Sequence, residues 1–290
     1  ALLQLADAAQ AQRLSAAAVR YLELRVEGFR NLASCRLEFH PAVNFIHGAN
    51  GQGKTNLIEA LLYPVSGRSH RLSRDEELVA FGGEHFHLAA LLADDGGGQR
   101  RFTAAYGRGT VKKLTVDGEE LGRLADLISL TGTVVFGPGD VELVDGEPEL
   151  RRRFLDYTFA KTDPAYLRRL LEYRRILRQR NALLKTGRGR SGLALWSQRL
   201  AEAGAAIAMA RRRSLVDLAA GAGRYYGQMG PEGERLTLSY LSRQEAEDEA
   251  ALVARLEAAL AAAESAEWLK KRTLAGPHLD DMSIDIEGRN

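Results

Sequence analysis

The 290-residue chain has one cysteine, seven prolines, three methionines and two tryptophans, and aromatic residues make up 7% of it. A single thiol, Cys35, excludes an intramolecular disulfide and suits a reducing cytoplasm. No apolar run approaches the length of a membrane span. Residues 1–20 lack the apolar stretch of a secretory signal. Leu2, Leu5, Ala9, Gln12 and Ala16 fall near one face of a weak amphipathic helix there, and no role is assigned to this extension. The chain does not begin with Met, so we expect a longer product or a start at the first ordered residue. No set of His, Cys or carboxylate residues has zinc-site spacing. The formal charge of +2 is weak, yet it hides segregation. Arg151-Arg152-Arg153, the stretch Arg168 to Arg190 and Arg211-Arg212-Arg213 are basic, and Glu245 to Glu267 is acidic.

Against that spare background stands Gly48-Ala49-Asn50-Gly51-Gln52-Gly53-Lys54-Thr55, which fits G-x-x-x-x-G-K-[ST]. At ordinary residue frequencies the pattern arises by chance in roughly one chain of this length in a hundred. The context also fits, because apolar Val43–His47 precedes the loop and helix-favouring Asn56–Leu62 follows it. Backbone N–H groups of such a loop curl around phosphate oxygens, and the next helix aims its dipole at the same charge. Lys54 is placed for the β- and γ-phosphates of ATP or GTP, and the Thr55 hydroxyl for Mg²⁺.

Tyr21 to Glu27 alternates apolar and polar residues, as a strand with one buried face does. Cys35–Phe39, Val43–His47, Phe86–Leu92, Arg101–Tyr106, Lys112–Val116 and Thr133–Phe136 are further expected strands. Asp94-Asp95 follows an apolar run but precedes Gly96-Gly97-Gly98, so it reads as a solvated turn rather than a Walker B site. Residues 21–147 therefore read as an α/β lobe rich in antiparallel sheet. Residues 148–275 read as a helical arm, with Asp163-Pro164 starting one helix, a second from about Leu193, and a third over Glu245–Leu269. Residues 276–290 are expected to return to the α/β lobe.

Within the arm, Glu172 is the only acid between Pro164 and Gly192. Salt pairing along that helix is scarce, so Arg168, Arg175, Arg178 and Arg188 are candidates for DNA phosphates; Arg169 and Arg180 form another stripe. A solvated amphipathic face is the plainer account. No base-reading motif accompanies the run, which suits recognition of DNA shape or junctions. Arg151 and Arg152 point about 100° apart on a helix. They read either as anchors for Asp140 or Asp156 or as phosphate contacts.

Four separated motifs resemble the RecF family, ATPases of recombinational repair with heads related to those of ABC and SMC proteins. They are Phe29-Arg30-Asn31-Leu32, the loop Gly48–Thr55, Pro138-x-Asp140-x-x-Leu143-Val144-x-Gly146-x-Pro148-x-x-Arg151-Arg152-x-Phe154-Leu155-Asp156, and Gly276-Pro277-His278-Leu279-Asp280-Asp281. Leu279 departs from the pattern, which more often has a basic residue there. The resemblance implies an α/β ABC/SMC-like P-loop head with an antiparallel subdomain, plus a helical arm (lobe II). It implies an ATP- and Mg²⁺-dependent homodimer that clamps gapped or duplex DNA, with RecR as partner and RecO and RecA acting through it. It places Arg30 and Asn31 near the nucleotide, where the plain alternative is a turn capping the first strand. Arg68 would lie at the base and ribose, or else be a surface arginine. The family's signature helix and Walker B strand follow the G-P-H turn, and the sequence ends at Asn290 before them. Hydrolysis is accordingly expected to be near absent and ATP-driven dimerisation impaired, and no catalytic residue is named. A guanine-reading N-K-x-D motif is absent and the arm is too short for an SMC coiled coil. The alternative kept open is a P-loop nucleotide-binding interaction module without DNA clamp activity.

Overall fold

The computed structural model describes residues 19–69, 74–122, 127, 130, 133–187 and 190–287. The chain divides into two compact units, residues 1–135 and 136–290. The boundary thus falls upstream of the expected 147, and Pro138–Asp145 belongs with the arm. Among the described residues, no helix is long and apolar enough to cross a membrane.

In the first unit, strands β1 (Val19–Phe29), β2 (Leu32–Glu38), β3 (His85–Asp94), β4 (Gln99–Gly107), β5 (Lys113–Val116) and β6 (Glu119–Glu120) form one sheet in the order β2-β1-β3-β4-β5-β6. All its pairings are antiparallel. The period-two pattern of β1 is borne out, for Leu24 and Val26 are buried while Arg25 and Glu27 are exposed. Helix α1 (Lys54–Ser66) inserts Ala60 and Tyr63 into the same core. There Phe29, Tyr63 and Phe86 meet at centroid distances of 5.3–6.2 Å, two of the three pairs edge-on. Asp94 accepts the Gly98 N–H at 2.8 Å in the β3–β4 turn, so this carboxylate has a structural task.

Two expected strands do not form. Val43–His47 and Thr133–Phe136 have no strand pairing, and Val43, Phe45, Val134 and Phe136 are all exposed. Their composition favours strand, but a strand needs a neighbour for its N–H and C=O groups, and no described segment supplies one. Upstream, the Asn44 amide instead closes a short turn, accepting from His40 N–H and donating to His40 O at 2.8 Å each.

The second unit contains a single turn α2 (Glu142–Asp145), then α3 (Pro148–Thr162), α4 (Pro164–Thr186), α5 (Arg190–Met229), strand β7 (Leu236–Leu241), α6 (Glu249–Lys270) and strand β8 (Asp281–Ile286). Asp163 caps α4 by accepting the Ala165 N–H at 2.7 Å, with Pro164 at the first position. Gly187, at φ 67°, ends that helix in the left-handed region where a Cβ would be strained. Helix α5 has 40 residues. The segment expected to rejoin the α/β lobe pairs elsewhere, because β8 runs antiparallel to β7 within the arm unit.

Candidate nucleotide-binding loop and basic arm

The loop leads directly into α1. Gly53 is the helix cap at φ 96°, and the first intrahelical bond runs from Leu57 N–H to Gly53 O at 2.8 Å. The N–H groups of the first turn, including those of Lys54 and Thr55, therefore have no partner within the helix and point along its axis. The Lys54 ammonium folds back over the loop, donating to Gly48 O and Ala49 O at 2.8 Å each. Gln52 Oε1 accepts the Ala49 N–H at 3.1 Å and braces the curve from inside. Gly51 has φ 83° and Gly48 φ 151°, so the turn uses backbone angles that L side chains avoid. The Thr55 hydroxyl is exposed and has no hydrogen-bond partner among the described residues. Asn50 is exposed at the loop tip.

The flanking residues hold this loop from behind. A Cβ on Gly53 would stand 2.6 Å from Asn31 Oδ1, so the loop and the turn after β1 are in tight contact. Asn31 Oδ1 also accepts from Asn56 Nδ2 at 2.9 Å, tying that turn to the first turn of α1. Arg30, at φ 57°, donates through Nε to Glu59 Oε2 at 3.1 Å and through a terminal nitrogen to Glu77 O at 3.3 Å. Glu59 is fully buried on α1 and also accepts from the Ser69 hydroxyl. Arg30 is thereby a positioning residue for the loop helix. Glu59 escaped the sequence reading; its only signal was one acid inside the apolar run Leu57–Leu62. Arg68 is exposed just past Gly67, at the opposite end of α1. At 1.5 Å per residue that is roughly 20 Å along the axis from Gly53.

In the arm, Arg151, Arg152 and Arg180, singled out by sequence, are committed to structure. Arg151 forms a two-pronged pair with Asp281 at 2.8 and 2.9 Å and caps Gly146 O at 2.8 Å. Arg152 donates to Asp280 O at 2.8 Å. Asp140 accepts the Gly137 N–H at 2.6 Å, and Asp156 takes Arg174 and Arg211 at 2.9 and 2.8 Å. Neither Asp140 nor Asp156 is the anchor of Arg151 or Arg152. Arg211 is buried, and it also donates to Pro277 O at 2.6 Å. Arg180, expected on an exposed stripe, is wholly buried against Glu267 at 2.5 Å, Thr273 at 2.8 Å and Ser197 at 3.1 Å. The buried face of α4 runs through Tyr166, Leu170, Tyr173, Ile176, Arg180 and Leu184, leaving Leu171 and Arg174 exposed. Burial pushes the His278 imidazole down to about 4, so it is neutral near pH 7. Its Nδ1 lies 2.6 Å from the Tyr173 hydroxyl. Burial raises the Asp280 carboxyl, against hydrogen bonds from Tyr240 and Ser242. The two long motifs therefore fasten the G-P-H turn to the arm.

Arg168, Arg175 and Arg178 are exposed on α4 and have no ion-pair partner among the described residues. Arg168 and Arg175 lie about 20° apart around the helix. Arg188 lies outside the described residues.

A glycine loop with a folded-back lysine, opening a helix on an antiparallel α/β lobe, defines a phosphate-loop protein, and residues 23–129 match the family model of an AAA domain. The "DNA replication and repair protein RecF" of Symbiobacterium thermophilum is 36% identical over 272 residues, covering 92% of this chain and 72% of that protein. That of Geobacter sulfurreducens is 35% identical, covering 92% and 73%. A solved structure of the recombination mediator protein RecF-ATPrS superimposes with a TM-score of 0.86 at 32% identity, over 94% of this chain and 75% of that one. One of RecF-ATP gives the same TM-score at 31% identity. The chain belongs to the RecF family of DNA replication and repair proteins. It has the RecF fold, a mixed α/β head followed by a helical arm.

Proposed function

We propose that this chain is an ATP-gated DNA-binding protein of recombinational and replication-gap repair. ATP is held at Gly48–Thr55, with Mg²⁺ on the Thr55 hydroxyl. The observation that carries the reading is the convergence on one loop of the Lys54 ammonium, the glycine angles and the Lys54 and Thr55 N–H groups that open α1 without a partner inside the helix. A Cβ at Gly48 would meet Gln52 Oε1 at 2.5 Å, and one at Gly53 would meet Asn31, so these glycines permit the tight curve that a phosphate cradle needs. On binding, Lys54 exchanges two neutral carbonyls for charged oxygens, a stronger hydrogen bond. A bound triphosphate supplies more negative charge than one loop neutralises, which favours closure by a second copy of the head. The relatives' names, with RecF-ATP among them, support the same ligand and pathway. Arg168, Arg175 and Arg178, with Arg188, supply the cationic surface for DNA. RecR, and through it RecO and RecA, are the expected protein partners, and the cytoplasm the expected compartment.

The test is fluorescence anisotropy with gapped duplex DNA, with and without Mg²⁺–ATP, beside Lys54→Ala. Binding strengthened by ATP, and lost in Lys54→Ala, supports the gate. DNA binding indifferent to ATP refutes the gate. ATP binding with no DNA binding at all leaves a nucleotide-binding interaction module.

A further inference from the structure

A second cationic site lies on the arm, away from the stripe already assigned. A cleft of about 450 Å³ is bounded by Asn181 of α4, Arg243 of the β7–α6 connection, Lys270 at the end of α6, and Arg272, Thr273 and His278 beyond it. No carboxylate lines it. Arg243, Lys270 and Arg272 are exposed, and none forms an ion pair among the described residues. That sets them apart from Arg151, Arg174, Arg180 and Arg211 of the same unit, each held by a carboxylate. Cations near a helix C-terminus are favoured by its dipole, which accounts for Lys270. It does not account for Arg243, which arrives from a separate segment.

The wall of the cleft is tied together by hydrogen bonds. Thr273 is buried, and both its N–H and its hydroxyl donate to Asn181 Oδ1 at 2.8 Å. Lys271 sits in the left-handed region at φ 53°, an angle costly for a side-chain-bearing residue, and it turns the chain between Lys270 and Arg272. His278 brings no charge near neutral pH, because burial keeps its ring neutral, and the ring contacts Tyr173 and Thr273. The polar floor is thus satisfied internally, and the cations at the rim are left for a ligand. Arg178 stands one turn before Asn181 on α4, so the basic stripe leads to this rim.

We propose that this cleft seats a backbone phosphate of DNA, with Arg243, Lys270 and Arg272 as its contacts and the α4 arginines continuing along the strand. The proposal rests on the DNA-binding reading given above and names a part of that surface. Sequence-independent contact to phosphate is the chemistry three exposed cations without acids provide.

The test uses the full chain and a labelled gapped duplex, titrated across salt from roughly 50 to 200 mM. Arg243→Gln/Lys270→Gln/Arg272→Gln is compared with Arg168→Gln/Arg175→Gln and with the unmodified chain. The cleft variant should flatten the slope of log K against log salt by at least about 1, with a tenfold or greater loss of affinity at about 100 mM. Unchanged slope and affinity in the cleft variant, with loss in the α4 variant, overturns the cleft and leaves the DNA reading standing. No binding by the unmodified chain overturns both. Inorganic pyrophosphate retained at the cleft while the triple substitution leaves DNA binding intact also overturns the proposal, by assigning the site to a free anion. The three residues are exposed, and unchanged thermal unfolding checks that the variant is folded.

Discussion

Replacing Arg180 by Met isolates what the buried cation does for the arm. The guanidinium is 1% exposed and its partner Glu267 is fully buried at 2.5 Å. In the variant Glu267 keeps the Leu274 N–H at 2.7 Å but loses its ion pair with Arg180. A buried carboxylate stripped of its counter-charge costs about 3–5 kcal/mol, a large share of the roughly 5–15 kcal/mol that holds a domain together. At a urea slope of about 2 kcal/mol per molar, the unfolding midpoint falls by roughly 1.5–2.5 M. Both tryptophans, Trp196 and Trp268, lie in the second unit, so their fluorescence reports the arm alone. Arg180→Met/Glu267→Leu removes both charges and should recover most of the loss. ATP binding at the first unit's loop provides a control that should not move. The reasoning fails if the single variant costs under about 1 kcal/mol, or if the double variant is no better than the single one.

Arg30→Met should destabilise the first unit by about 2–4 kcal/mol, since it uncovers the buried Glu59, and its ATP affinity should fall in step with stability. A loss of affinity at unchanged melting temperature would make Arg30 a direct ligand contact instead. Gly53→Ala should weaken ATP binding at least tenfold in a titration with labelled nucleotide, because φ 96° and the 2.6 Å approach of Asn31 both oppose a Cβ; binding within twofold of the unmodified chain refutes it. The arm should lose stability as pH falls from about 6.5 to about 4. Over that range the unfolded imidazole of His278 takes a proton that the folded one refuses, a difference of up to about 3 kcal/mol. His278→Asn should flatten this part of the curve in chemical unfolding followed at each pH. Asp280, raised by burial, works in the opposite direction and limits the size of the effect.

Local features were legible because their causes are local. The loop Gly48–Thr55 announces itself through glycine angles and one lysine, and β1 through alternation. Asp163-Pro164 marks the start of α4 by capping chemistry that spans two residues. What depends on distant partners was hidden. Arg180 looks like another surface arginine until Glu267, 87 positions later, meets it. Arg151 finds Asp281 across 130 positions, which no spacing rule could indicate. Val43–His47 shows the converse, strand composition without a neighbour to pair. The exposed arginines Arg168, Arg175 and Arg178 were readable only because acids are scarce around them.

The ties that close the arm also set the order in which it can form. Arg151, Arg152 and Arg180 all take partners between Glu267 and Asp281. A chain leaving the ribosome therefore carries helices α3 and α4 before the partners of these three cations, on α6 and around the G-P-H turn, have emerged. The first unit, whose pairings all lie within its own residues, has by then been synthesised in full. Contacts of such long separation are slow to find, so the arm is expected to complete its folding after the first unit.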